Sequence, residues 1–282
     1  MTVKKYLYLL VRVAHWLNKG VIMSKLIDFH AHIDNSWKTV EELNKIQDEN
    51  NIEKTIIVSG NMIDSRKIGD FLRGTENYKE DIPNNDFLCE VYAKYPDRYI
   101  PFFTLDPEYH LIEDLEIYFK NFFMGIKINP IVLKTSFNSP KLYELLESIL
   151  DYNLILYTHI TLNPLSNLSS LKELARRFPQ LKIVIGHMGF STSDFASIDI
   201  CENFENIYLE SSVGSILAFK EIKKRKLVDK LLFGSEYPLH NPGIEYQKLK
   251  LVFDGEDLIK VTRNNTIKLI NWVKKEKEAY VI

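Results

Sequence analysis

The sequence predicts a (β/α)8 barrel, and three observations carry that expectation. Beyond residue 25, eight short apolar runs alternate with longer amphipathic stretches, the pattern of βα units laid on a parallel sheet. The chain has 282 residues, a length at which a barrel closes as one domain. No internal repeat, low-complexity tract or Gly/Ser-rich linker divides it. A doubly wound sheet is the alternative. The expected division is an N-terminal extension over residues 1–24 followed by a barrel over residues 25–282.

In chain order the apolar runs are Leu26–Phe29, Lys54–Val58, Tyr99–Thr104, Met124–Ile128, Leu154–Thr158, Lys182–Ile185, Ile207–Leu209 and Leu231–Phe233. Helical patterns lie between most of them. Ser139-Pro140 supplies a cap and a first-turn proline for a helix over Ser139–Leu150. A second helix over Ser169–Phe178 is stopped by Pro179. The longest interval between strands is residues 60–97, so added irregular or helical structure is expected there, ending in a helix over Asn85–Tyr95. Before the first strand, Tyr6–Val11 follows Lys4-Lys5 and imitates the apolar region of a signal peptide. Arg12 and His15 interrupt it, no small-residue cleavage site follows, and it falls short of the roughly 20 apolar residues a membrane span needs. No membrane segment is expected; the stretch reads either as a surface amphipathic helix or as residues preceding a start at Met23.

Composition excludes several classes of function. With 36 Lys+Arg against 38 Asp+Glu the net charge is −2, so no basic field exists for gripping nucleic acid. Apolar residues make up 45% and charged residues 26%, ordinary globular usage that rules out a disordered or collagen-like chain. Cys89 and Cys201 lie far apart without CxxC spacing, which supports neither a disulfide scaffold nor a zinc finger and makes a reducing cytoplasm the default. The expected partner is a small-molecule substrate, with homo-oligomerisation left open.

The chemistry is concentrated where the strands stop. In Asp28-Phe29-His30-Ala31-His32 the two histidines are two apart on a strand, so both imidazoles point to one face and can converge on a metal, for which zinc is suited. Alone, such a pair is a weak signal; position strengthens it. His159 follows the run Leu154–Thr158, and His187 follows Ile183-Val184-Ile185-Gly186, which puts four histidines at the C-terminal ends of three strands, the catalytic face of a barrel. Glu236, in Phe233-Gly234-Ser235-Glu236-Tyr237-Pro238, follows the last strand, where it could bind the metal or take a proton from metal-activated water. Asp28 shares strand parity with His30 and His32; it either orients a ligand histidine from behind or helps close the barrel as an inward carboxylate.

These residues carry a resemblance. Asp28–His32, Tyr95-Pro96-Asp97-Arg98-Tyr99, Gly125–Pro130, Gly186-His187-Met188-Gly189 and Gly234–Pro238 together make the chain similar to the amidohydrolase superfamily. The likeness is to the amidohydrolase-related metal-dependent hydrolases that include amino-carboxymuconate-semialdehyde decarboxylase and related decarboxylases and hydratases, and it runs from about Leu26 to about Asn271. The resemblance implies one divalent metal, usually zinc with manganese as the other candidate, held by His30, His32 and His159. It also implies that His187 assists at the substrate or metal and that the last-strand acid activates water. The family normally carries Asp in a Gly-Ser/Thr-Asp-x-Pro sequence, where this chain has the longer Glu236. Some superfamily members have a carboxylated lysine bridging two metals at the strand position of Lys127; an ammonium paired with Glu236 or Glu210 is the preferred reading here.

The expected activity is therefore that of a metal-dependent hydrolase acting on a small carboxylated or carbonyl-bearing molecule. Glu236 is the base, His187 binds the developing oxyanion, and Lys127 or Arg66 holds a substrate carboxylate. The alternatives are a non-oxidative decarboxylase or hydratase, a metal-independent lactonase, and a homologue that has lost catalysis and serves as a binding module.

Overall fold

The computed structural model describes residues 24–60, 67, 69–70, 75, 83–121, 123–161, 163–189 and 194–279. The expected extension, apart from residue 24, and Arg66 both lie outside the described residues. Eight strands, β1 (Leu26–Ile33), β2 (Ile52–Ser59), β3 (Tyr99–Thr104), β4 (Gly125–Ile128), β5 (Ile155–His159), β6 (Lys182–Gly186), β7 (Ile207–Glu210) and β8 (Leu231–Leu232), follow one another around a single sheet in chain order. All seven consecutive pairs are parallel. The last strand meets the first through backbone bonds: Phe29 N–H donates to Phe233 O (2.8 Å) and His32 N–H to Tyr237 O (2.8 Å), with Ala31 bridged to Tyr237 in parallel. The expected (β/α)8 barrel is the observed architecture.

Each predicted run is a strand, with ends that differ for a physical reason. β1 continues four residues past Phe29 to Ile33, because hydrophobicity marks only the apolar part of a strand whose C-terminal end carries buried polar donors. Around the barrel stand helices α1 (Trp37–Glu49), α2 (Asn85–Lys94), α3 (Ile112–Asn121), α4 (Pro140–Ser148), α5 (Leu168–Arg177), α6 (Asp194–Asn203), α7 (Ile216–Lys224), α8 (Pro242–Lys250), α9 (Gly255–Ile259) and α10 (Asn265–Ala279). Several begin on a side-chain cap: Asn84 accepts from Phe87 N–H, Asn167 from Ser170 N–H, Ser215 from Ala218 N–H and Asn241 from Gly243 N–H. Such a cap contributes about 1 kcal/mol. The helix expected from Ser169 starts at Leu168 because Asn167 takes the cap. Among the described residues no helix is long and apolar enough to cross a membrane.

Two apolar layers hold the barrel. Between sheet and helices, Ile33, Ile57, Phe103, Ile126, Leu156, Ile183 and Leu209 pack against buried helical residues such as Val40, Leu43, Val91, Leu171 and Phe219. Inside, Phe29, Ile56, Val58, Phe102, Ile155, Tyr157, Val184 and Leu232 fill the interior, with Leu269, Ile270 and Val273 of α10 packed into the same cluster. Fully burying one such side chain stabilises by about 1.5–3 kcal/mol.

One irregularity decides what faces the interior. Asp28 pairs with Thr55 and Ala31 with Ile57, so β1 places two residues opposite the single Ile56. This bulge breaks the strict alternation that the sequence suggests. Consecutive residues Phe29 and His30 consequently both reach Tyr157, with ring centroids 5.8 Å and 4.4 Å away. Phe29 caps the apolar interior, and His30 begins the polar layer above it.

Candidate active site

His30 and His32 lie at the C-terminal end of β1 with ring centroids 4.7 Å apart, and His30 is wholly buried. Glu236 reaches them from the turn after β8. Its backbone adopts a left-handed conformation, φ 59°, which ordinary residues hold only under constraint. The constraint is visible: Glu236 N–H donates to His30 O (2.9 Å), Ser235 N–H to Asp28 Oδ1 (2.9 Å) and Ser235 Oγ to Asp28 Oδ2 (2.6 Å). Asp28 Oδ1 also accepts from His30 N–H at 3.1 Å. The bonds of Asp28 go to backbone and to Ser235 and join β1 to the acid-bearing turn.

The extra methylene of glutamate carries the carboxylate into the histidines. Glu236 Oε2 stands 2.6 Å from His30 Nε2 and 3.4 Å from His187 Nε2, and Oε1 stands 3.5 Å from His32 Nε2. One donor atom from each of His30, His32 and Glu236 falls within 4.8 Å of the others. Despite the short separation, His30 Nε2 and Glu236 Oε2 are both buried without an aligned hydrogen bond. Buried polar atoms are nearly always satisfied, so atoms that converge on one point and do not satisfy one another fit a cation. Burial also keeps the imidazoles of His30 and His159 neutral by lowering their pKa well below the ordinary histidine value. Burial alone would raise the carboxyl of Glu236, but the rings of His187, His30 and His32 hold it well below the usual carboxylate range. Two imidazole nitrogens and one carboxylate oxygen suit a divalent transition metal.

His159 and His187 complete the rim. His159 ends β5, buried, with its ring centroid 5.8 Å from that of His187. The compact group among the described residues holds His30, His32 and Glu236 of the expected set, and His159 faces His187 on the same rim. His187 follows β6 in a left-handed conformation, φ 57°, and burial first of all depresses its pKa to about 4. Lys127, buried at the end of β4, places its ammonium 4.1 Å from the centroid of the Tyr157 ring, a cation–π contact.

Sequence reasoning gave no site role to Tyr157, Ser212 and Ser235, and considered Glu210 only as a charge partner for Lys127. Glu210, fully buried at the end of β7, accepts from Tyr157 OH (3.0 Å), His187 N–H (3.1 Å), Ser212 N–H (2.5 Å) and Ser212 OH (2.8 Å). Burial pushes its pKa up to about 7, against those bonds. Glycine makes the room: a Cβ at Gly234 would collide with the Glu210 carboxylate, and one at Gly186 with the Tyr157 hydroxyl. The signal available in the sequence was a carboxylate closing an apolar strand in Tyr208-Leu209-Glu210-Ser211-Ser212, a position equivalent to His159 and His187.

A family model described as "Amidohydrolase" matches residues 27–272. No curated protein matches the chain. Among solved structures, it resembles 2,6-dihydroxybenzoate decarboxylase in complex with 2,6-dihydroxybenzoate, at TM-score 0.64 and 17% identity, covering 88% of this chain and 100% of that one. It also resembles a dihydroxybenzoic acid decarboxylase from Polaromonas sp. JS666 with bound manganese and the inhibitor 2-nitroresorcinol, at TM-score 0.63 and 19% identity, over 88% and 97% of the two chains. A third is a probable 2-pyrone-4,6-dicarboxylic acid hydrolase from Acinetobacter baumannii with citric acid bound, at TM-score 0.64 and 18% identity, over 88% and 99%. At these identities the likeness concerns the fold.

Proposed function

The chain belongs to the amidohydrolase family, and on that premise we propose that it is a metal-dependent, non-oxidative decarboxylase of a small aromatic carboxylic acid. The observation that carries this reading is the group of buried His30 and Glu236 with half-buried His32 at the mouth of the barrel, in a fold shared with decarboxylases that hold manganese or a hydroxybenzoate. His30, His32 and Glu236 would hold the metal, with His159 as the further ligand from β5. When bound, a divalent ion would supply Lewis acidity toward an anionic substrate.

The chain's own residues do the rest. The Lys127 ammonium, buried at the foot of the mouth, attracts the anionic acid and orients its carboxylate. As the bond between ring carbon and carboxylate breaks, carbon dioxide leaves and the electron pair remains on the carbon, which must then gain one proton. The groups facing that position from β6 and the β8 turn are His187 and Glu236, 3.4 Å apart; the proton would come from a hydroxyl of the substrate or from water, be taken up by one of them and be passed to the carbon. Buried walls of Phe29, Phe102 and Tyr157 below the polar layer keep water from the base of the pocket, which strengthens each electrostatic contact.

Hydrolysis, the activity first expected from the sequence, is the second reading. The shared barrel of the 2-pyrone-4,6-dicarboxylic acid hydrolase supports it, and Glu236 would then act as base toward water. Release of carbon dioxide from a panel of hydroxybenzoates and β-keto acids, run beside a panel of lactones and amides with manganese or zinc added, separates the two. Decarboxylation of at least one acid is the expected result. Turnover confined to the lactones or amides would move the assignment to hydrolysis, and inactivity toward both panels by metal-loaded protein would overturn both.

A further inference from the structure

His187 has two ring nitrogens, and the structure gives each a different neighbour. Nε2 faces Glu236 Oε2 at 3.4 Å, whereas Nδ1 lies 2.8 Å from Ser212 Oγ. Ser212 Oγ is in turn 2.8 Å from Glu210 Oε2. A hydroxyl carries one proton. The carboxylate of Glu210 is the acceptor of two backbone N–H groups, from Ser212 and His187, and of the Tyr157 hydroxyl. Around a group ringed by donors, the Ser212 proton points to Glu210. The Ser212 oxygen then has only lone pairs left for His187, and the 2.8 Å contact is a hydrogen bond only if Nδ1 carries the ring proton.

We propose that Ser212, held by Glu210, locks His187 in the Nδ1–H tautomer, so that Nε2 turns a bare lone pair toward His30, His32 and Glu236. Glu210 and Ser212 are positioning residues, acting through His187. The inference rests on the reading of that group as the reactive centre and assigns His187 a task within it. His187 enters the site as an acceptor, able to bind a cation or receive a proton. It does not enter as an N–H donor to a developing oxyanion, the role first expected for it.

Three further features agree. Val213, directly after Ser212, is a β-branched residue at φ 62°, a conformation that costs on the order of 1–3 kcal/mol and clusters at functional sites. His187 itself is left-handed, and its backbone N–H is bound by the same Glu210 oxygen that receives the Ser212 hydroxyl. Ring and backbone of one residue are therefore tied to a single carboxylate. Glycine at 186 and 234 leaves space for the Tyr157–Glu210 pair that completes the anchor.

The test is the ring tautomer of His187, read by long-range 1H–15N correlation spectra of protein labelled at histidine. Spectra are taken at about pH 8, both zinc-loaded and after chelation, and the His187 signals are assigned by their loss in His187→Gln. A pyrrole-type Nδ1 and a pyridine-type Nε2 are expected in wild type. Ser212→Ala should shift the ring toward the other tautomer or a mixture, and Ser212→Thr, which keeps the hydroxyl, should restore it. An Nε2–H tautomer in wild type, or an unchanged tautomer in folded Ser212→Ala, overturns the proposal. If Ser212→Ala does not fold, the wild-type tautomer alone decides. The spectrum needs no turnover, so a correct tautomer in a protein that decarboxylates nothing would fault the proposed function and not this inference.

Discussion

Asp28→Asn isolates one buried carboxyl whose pH signature runs opposite to that of an ordinary ion-paired acid. Wholly buried, Asp28 has its pKa raised from 3.8 to about 7, first by loss of hydration and against its bonds to Ser235 and His30. Between these two values the folded protein binds the proton that the unfolded chain has released. Stability therefore falls as pH rises through that window. From about pH 5.5 to about pH 8.5 the folded carboxyl ionises near 7, and 1.36 kcal/mol per pH unit over about 1.5 units gives a loss of about 2 kcal/mol. The neutral side chain of Asn carries no such term. It keeps an oxygen for the N–H groups of His30 and Ser235, and the Ser235 hydroxyl can turn to accept from the amide. The buried histidines push the other way, gaining stability as pH rises, so the difference between the wild-type and variant slopes is the informative quantity. Urea unfolding at the two pH values, in chelator so that metal binding does not contribute, should show Asp28→Asn gaining about 2 kcal/mol on wild type as pH rises. Parallel pH profiles would refute the reasoning, and a relative loss at high pH would show that the Ser235 and His30 donors outweigh burial.

Other expectations follow from the same geometry. Protein purified from metal-supplemented medium should hold about one zinc or manganese per chain by elemental analysis; two per chain would indicate a bridged pair involving Lys127. Glu236→Gln should weaken metal affinity at least about 10-fold and lower turnover by roughly 10²-fold or more, measured by competition with a chelating dye and by initial rates. Gly234→Ala, which drives a methyl into the Glu210 carboxylate, should destabilise by about 1–3 kcal/mol in urea unfolding. A chain beginning at Met23 should remain soluble and keep its metal, as expected if the residues before β1 are dispensable to the barrel.

Much of this protein is legible in its residues without coordinates. The apolar runs mark the strands because a parallel strand is buried on both faces and must be apolar nearly throughout. His30, His32, His159, His187 and Glu236 were readable as candidate site residues because each follows such a run, and strand ends share one rim of a barrel. What the sequence could not give is everything that depends on distance across that rim. The bulge that turns Phe29 and His30 inward together is invisible, since alternation is a local rule and a bulge answers to the neighbouring strand. That Glu236 reaches His30 and His32 depends on a left-handed turn held by Asp28, 207 residues before Ser235. Glu210 was legible only as a charge partner for Lys127, and Ser212 was hidden, because a carboxylate and a hydroxyl after a strand look like solvated loop residues until Tyr157 and His187, contributed by other strands, close over them. Residue type and strand period act along the chain and can be read from it; partnership among buried polar groups is settled only when eight strand ends meet.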